Sequence, residues 1–122
     1  MRKSALVVDN NRNYLILAKD LLEVAGFEVF EAEDATTGIA VTRREKPDIV
    51  VLDVRLPDMR GTEAAVLLRQ DRETKDIPIV FVTASVMAGG GKEEVLAIPD
   101  CGFISKPINT RTFADEIRNF LK

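Results

Sequence analysis

The feature that most constrains this chain is a fivefold alternation of short apolar runs with helical patterns. Residues 5–8, Ile49–Leu52 and residues 79–82 are brief runs rich in β-branched side chains, as expected of strands buried on both faces. Residues 27–32 alternate apolar and charged side chains, which predicts an edge strand with one wet face, and Phe103 and Ile104 mark a fifth strand. Between them, Leu15, Ala18, Leu22 and Ala25 recur on one helical face, with Gly26 as the stop signal. Asp34 is placed to cap a second helix, which must end before Pro47. A third helix runs through Ala64, Ala65 and Leu68. The last, capped by Asn109 or Thr110, carries Phe113, Ile117, Phe120 and Leu121. Strands separated by helices of this length imply right-handed βαβ units and a parallel sheet covered on both faces. With no linker, repeat or low-complexity tract, the expectation is one doubly wound α/β domain over residues 1–122.

The totals narrow the chemistry. A hydrophobic share of 46% and a charged share of 30% suit a globular domain. No apolar stretch approaches the roughly 18 residues of a membrane span, and the opening Met-Arg-Lys-Ser gives no sign of a signal peptide. A net charge of −3 argues against direct nucleic-acid binding, which calls for a basic patch. The single cysteine, Cys101, excludes an internal disulfide, reads as a small packing residue and fits a reducing cytoplasm. The chain has no histidine, so a histidine triad, ligand or phosphohistidine is ruled out. Its chemistry must run on carboxylates, hydroxyls and lysine.

In an open α/β sheet, ligands bind beyond the carboxyl ends of the strands, where strand order reverses. Here those ends carry Asp9 and Asn10 after the first strand, Asp53 after the third, Thr83 after the fourth and Lys106 after the fifth. Any one of them could merely begin a loop. Four strands delivering polar groups to one edge point to a site instead. Two close carboxylates repel unless a cation intervenes, and Mg²⁺ suits carboxylate, carbonyl and water oxygens. In such a set Asp53 is the candidate nucleophile, giving an aspartyl phosphate, with Lys106 supplying a compact positive charge and Thr83 a hydroxyl donor to the phosphoryl oxygens.

With these residues placed, the chain resembles a response-regulator receiver domain from end to end. The matching motifs are Val7-Val8-Asp9, Asp53 with Pro57 and Gly61 after it, Thr83-Ala84, and Lys106-Pro107. The resemblance implies a flavodoxin-like fold with strand order 2-1-3-4-5 and a cis peptide between Lys106 and Pro107. It implies Mg²⁺-dependent phosphorylation of Asp53 by a partner histidine kinase or phosphotransfer protein, without turnover of a substrate. Ala84 would contact the phosphoryl group, and the backbone carbonyl of Arg55 would join Asp9, Asn10 and Asp53 around the metal. Arg55 and Ser85 would flank the pocket, while Thr83 and Phe103 would form the switch. The output would be a changed protein-binding face, read by a downstream protein or a fused output domain, with a homodimer through the fourth and fifth helices as a further option.

Two departures stand out. Receivers usually carry two adjacent acids after the first strand, whereas here the second is Asn10, whose carbonyl can ligate Mg²⁺ but adds no charge. That predicts weaker metal binding. Asn10 could instead, or also, cap the first helix. Gly89-Gly90-Gly91 falls where the fourth helix should begin, leaving residues 92–98, before Pro99, as its helical part and predicting a dynamic signalling face. Three other readings remain: a degenerate receiver acting as a phosphorylation-independent interaction module, an Asp-nucleophile phosphatase, and a flavin binder. The phosphatase lacks the usual second acid, because Arg55 stands there, and Asp9-Asn10-Asn11-Arg12 is poor chemistry for a flavin phosphate.

Overall fold

The structure, a computed structural model, describes residues 2–83 and 101–121. Ala84, Ser85, the three glycines, residues 92–98 and Pro99 lie outside them, so the expectations attached to those positions are not addressed by it.

The strands are β1 (Ser4–Val8), β2 (Glu28–Ala32), β3 (Ile49–Leu52), β4 (Ile79–Thr83) and β5 (Cys101–Ser105). All pair in parallel in the order β2-β1-β3-β4-β5. This is the doubly wound, flavodoxin-like receiver fold that the alternation and the resemblance together imply. The described helices are α1 (Arg12–Val24), α2 (Ala35–Glu45), α3 (Gly61–Gln70) and a C-terminal helix (Phe113–Asn119).

The period of two along each strand sorts the core into two layers. Leu6, Val8, Val50, Leu52, Ile79 and Phe81 face one side, where Ala35 and Val41 of α2 and Ala64, Ala65 and Leu68 of α3 cover them. Ala5, Val7, Ile49, Val51, Val80, Val82 and Ile104 face the other, under Leu15, Ala18 and Leu22 of α1 and Phe113 and Ile117 of the C-terminal helix. The central strands are apolar on both faces because both faces are covered. Edge strand β2 keeps Glu28 and Glu31 exposed. Partly buried Cys101 packs against the α2–α3 layer, in keeping with a packing role.

Local signals explain the helix ends, with two shifts from the sequence reading. Gly26 follows the end of α1 at φ 99°, a left-handed conformation that glycine adopts without cost. Asp34 caps α2 by accepting from the Thr37 N–H at 2.7 Å. The cap of α1 is Asn11, not Asn10: the Asn11 side chain accepts from the Tyr14 N–H at 3.2 Å. The extended residue with its oxygen aimed back at the third helical N–H is thus one place later than expected. The C-terminal helix begins at Phe113, later than a cap at Asn109 or Thr110 requires, because residues 110–112 form a separate turn. Asn109 organises that turn, its side chain accepting from the Arg111 N–H at 3.0 Å and its carbonyl from the Phe113 N–H at 2.9 Å.

Candidate functional site

Strand order reverses between β1 and β3, and the register places Val8 beside Leu52. The next residues, Asp9 and Asp53, are therefore neighbours at the carboxyl edge of the sheet. Backbone bonds fix them: the Asp53 N–H donates to the Val8 carbonyl at 3.0 Å, and the Asp9 N–H to the Ala32 carbonyl at 3.0 Å. β5 brings Lys106 to the same edge, and the Lys106–Pro107 peptide is cis, as the resemblance implies.

The three side chains form one cluster. Lys106 Nζ lies 2.6 Å from Asp9 Oδ2 and 3.6 Å from Asp53 Oδ2. The Asp9 side chain is 1% exposed, against 11% for Asp53 and 19% for Lys106. The Asn11 N–H donates to Asp9 Oδ1 at 2.9 Å, so both Asp9 oxygens are engaged. Burial raises the Asp53 pKa, and the Asp9 charge pushes it further the same way; Lys106 and the Arg55 and Val54 N–H groups pull it back. The result is one fully buried acid locked by its partners, and a second acid that reaches solvent and holds its proton more tightly than usual.

Gly61 shapes this edge from the far side. A Cβ there would overlap the Asp53 carbonyl oxygen and crowd the Val54 backbone. Only glycine lets the start of α3 lie against the loop that carries Asp53, where the Gly61 N–H donates to the Val54 carbonyl at 2.7 Å.

Asp9 and Asp53 also define what cation the edge could hold. Among the described residues no group of three or more acidic, histidine or cysteine side chains is arranged around a metal. Two carboxylates are nonetheless a fitting donor set for Mg²⁺, which is commonly held by one or two carboxylates together with water and substrate oxygens. Their mutual repulsion, expressed in Asp53, is what a cation would relieve.

A family model of the response regulator receiver domain matches residues 5–118 of the 122. The chain belongs to the response regulator receiver family. The receiver is 33% identical over 122 residues to the polar-differentiation response regulator DivK of Brucella anthropi, covering 99% of this chain and 98% of the relative. Among solved structures it is similar to the chemotaxis response regulator CheY4 of Vibrio cholerae, with TM-score 0.90, 26% identity and coverage of 99% and 100% of the two chains. It is also similar to a CheY-like receiver domain protein of Methanospirillum hungatei, with TM-score 0.84, 29% identity and coverage of 98% and 93%.

Of the other residues singled out in this receiver, Asn10 is exposed beside the cluster and Arg55 is exposed on the loop after Asp53. The Arg55 backbone N–H, the atom the structure ties to Asp53, donates to its carboxylate. Phe103 is partly buried on β5, paired with Phe81 in register and packed against the same core layer. Thr83 closes β4 opposite Ser105.

Two residues escaped the sequence reading. Tyr14 places its ring beneath Lys106, with the ammonium 4.3 Å from the ring centroid. Asp58, in the loop between Asp53 and α3, reaches across to α2 and accepts from the Ala35 N–H at 2.9 Å, the Thr36 N–H at 2.8 Å and the Thr36 hydroxyl at 2.6 Å. Tyr14 was detectable as the one tyrosine of the chain, on the α1 stripe that continues through Ala18 and Leu22. Nothing local marks Asp58 as the partner of a helix 22 residues away.

Proposed function

We propose that this receiver is a phosphoacceptor in which Asp53 takes the phosphoryl group. The observation that carries the reading is the division of labour between the two acids. Lys106 and the Asn11 N–H occupy the buried Asp9, while Asp53, whose side chain is the more exposed of the two, keeps Oδ2 3.6 Å from the same ammonium. An Asp53 carboxylate oxygen attacks phosphorus as the bond from phosphorus to a partner's histidine nitrogen breaks, leaving an acyl phosphate on Asp53 and a histidine on the donor. The extra negative charge arrives beside Lys106, a compact cation already held within reach.

Asp9 and Asp53, with the Asn10 amide and the Arg55 carbonyl, would hold Mg²⁺, which when bound supplies positive charge against the transferring phosphoryl oxygens. Thr83 and Ala84 would complete the contacts to the phosphoryl group, Ser85 would flank the pocket, and Thr83 and Phe103 would form the element that changes the protein-binding face. The partners are a histidine kinase or phosphotransfer protein upstream and a binding protein or output domain downstream. No substrate is turned over. No described helix is long and apolar enough to cross a membrane.

Incubation with Mg²⁺ and a small phosphodonor tests the reading by intact mass. One phosphate adduct is expected on the wild type and none on Asp53→Ala. Absence of the adduct from wild type, under conditions that phosphorylate another receiver, would leave the interaction-module reading in its place.

A further inference from the structure

Tyr14 sits in the first turn of α1, one residue before the buried Leu15. Its hydroxyl is buried and makes no hydrogen bond among the described residues, an uncommon state for a tyrosine. The hydroxyl therefore anchors nothing, and what the side chain offers its surroundings is the ring face. That face receives the Lys106 ammonium at 4.3 Å from the centroid. The same ammonium is 2.6 Å from Asp9 and 3.6 Å from Asp53. A cation over an aromatic face that is largely shielded from water is held more firmly than one at an open surface.

The consequence lies in the charge count. With Asn10 in place of an acid, the cluster of described residues holds two carboxylates and one ammonium, and the ammonium is bound to Asp9. A divalent cation shared by Asp9 and Asp53 must draw that ammonium away from Asp9 Oδ2. Whatever holds the lysine in its present place opposes the exchange.

We propose that Tyr14 is a positioning residue for Lys106: its ring holds the ammonium on Asp9, so that the lysine acts as the resident cation of the metal-free site and Tyr14 sets how readily it yields to Mg²⁺. The part concerning Mg²⁺ rests on the phosphoacceptor reading; the part concerning the lysine does not. The ring is the working group, so Tyr14→Phe keeps the effect and even removes an unpartnered hydroxyl, whereas Tyr14→Leu keeps apolar volume and loses the π face.

Two measurements separate the parts. In the metal-free protein, nitrogen-15 NMR of the Lys106 ammonium reports how well it is held. Wild type and Tyr14→Phe are expected to show a slowly exchanging ammonium signal, and Tyr14→Leu exchange at least about fivefold faster, the scale of a partly desolvated cation–π contact. Calorimetric titration with MgCl₂ is then expected to give Tyr14→Leu a Kd about fivefold lower than wild type, with Tyr14→Phe unchanged. A destabilised fold would weaken Mg²⁺ binding, the opposite sign. Should Tyr14→Leu not fold, Tyr14→Met takes its place as the variant without a π face.

Equal ammonium exchange in wild type and the variant without a π face would overturn the proposal. So would faster exchange in Tyr14→Phe matching that variant. Faster exchange only without the π face, in a wild type that binds no Mg²⁺, would uphold the role of Tyr14 while removing the metal-binding part of the phosphoacceptor reading. Altered exchange with an unchanged Mg²⁺ Kd would overturn the claim that Tyr14 governs the exchange of cations.

Discussion

Lys106 is bound 1.0 Å closer to Asp9 than to Asp53, at 2.6 against 3.6 Å, so the buried acid rather than the solvent-facing one is its principal partner. This relationship gives the lysine a structural role alongside its role toward an incoming phosphoryl group. Removing the ammonium leaves Asp9, 1% exposed, without its counter-ion. Lys106→Met is therefore expected to lose about 2 kcal/mol of stability, below the range for a wholly buried pair because the lysine retains some exposure. Urea denaturation measures it, and the double variant with Asp9→Asn should regain most of the loss. Simple addition of the two single effects would contradict the pairing.

Asp53 carries the opposite expectation. Burial and the Asp9 charge raise its pKa, so the folded state holds the proton more tightly than the unfolded chain does. For an acid with a raised pKa, ionisation costs stability as pH rises from the ordinary carboxylate value through the raised one, and the cost is fully present above the raised value. Asp53→Asn removes it while Lys106 stays neutralised by Asp9. The variant should be more stable than wild type at pH 7 by on the order of 1 kcal/mol. Thermal melts without Mg²⁺ test this, and a less stable Asp53→Asn would count against like-charge strain at the site.

Much of this site was legible because strand ends are legible. Asp9, Asp53 and Lys106 each follow an apolar strand, and a parallel sheet must bring such ends to one edge. The period of 3.6 likewise set Leu15, Ala18 and Leu22 inward. Tyr14 was visible as the one tyrosine on the α1 stripe, but its contact with Lys106 was not, and Asp58 was not legible at all, because each works through a partner that only folding supplies. Asn10 and Asn11 show a finer limit. Either asparagine can cap a helix, and the choice turned on a single residue of register that the extended backbone at Asn11 decides.

Gly61 makes a sharp stability prediction. A methyl group there meets the Asp53 carbonyl, and that neighbour is backbone with no rotamer to yield. Gly61→Ala should cost about 3 kcal/mol, at the upper end for overpacking. It should also slow phosphorylation of Asp53, since the loop bearing the nucleophile must shift. A Tm within a degree or two of wild type would show that the α3 start can move aside.

Asn10 is exposed beside the carboxylate pair, so an added charge there would act on a bound cation with little desolvation of its own. Asn10→Asp should tighten Mg²⁺ binding by at least about threefold, the order of a further unit charge near a divalent ion in a water-like medium. Calorimetry on the two proteins decides it. Equal affinities would mean that residue 10 takes no part in holding the metal.

Asp58 gives the clearest pH signature outside the site. Its carboxylate accepts three hydrogen bonds at the start of α2, and these, led by the Thr36 hydroxyl and the Ala35 N–H, hold its pKa down from the usual 3.8 to about 2. The depressed value means that the folded state favours the ionised form, so the stabilisation is fully present above the unfolded value and is lost as pH falls from about 3.8 towards about 2. Asp71, which accepts from the Glu73 N–H and Arg43, is shifted the same way, so wild type alone cannot assign the acid limb. The difference between wild type and Asp58→Asn can, because Asp71 is common to both. That difference should be constant above roughly pH 5 and shrink steadily below it. A Tm gap that stayed the same down to pH 2 would show that the carboxylate holds the loop after Asp53 to α2 by shape rather than by charge.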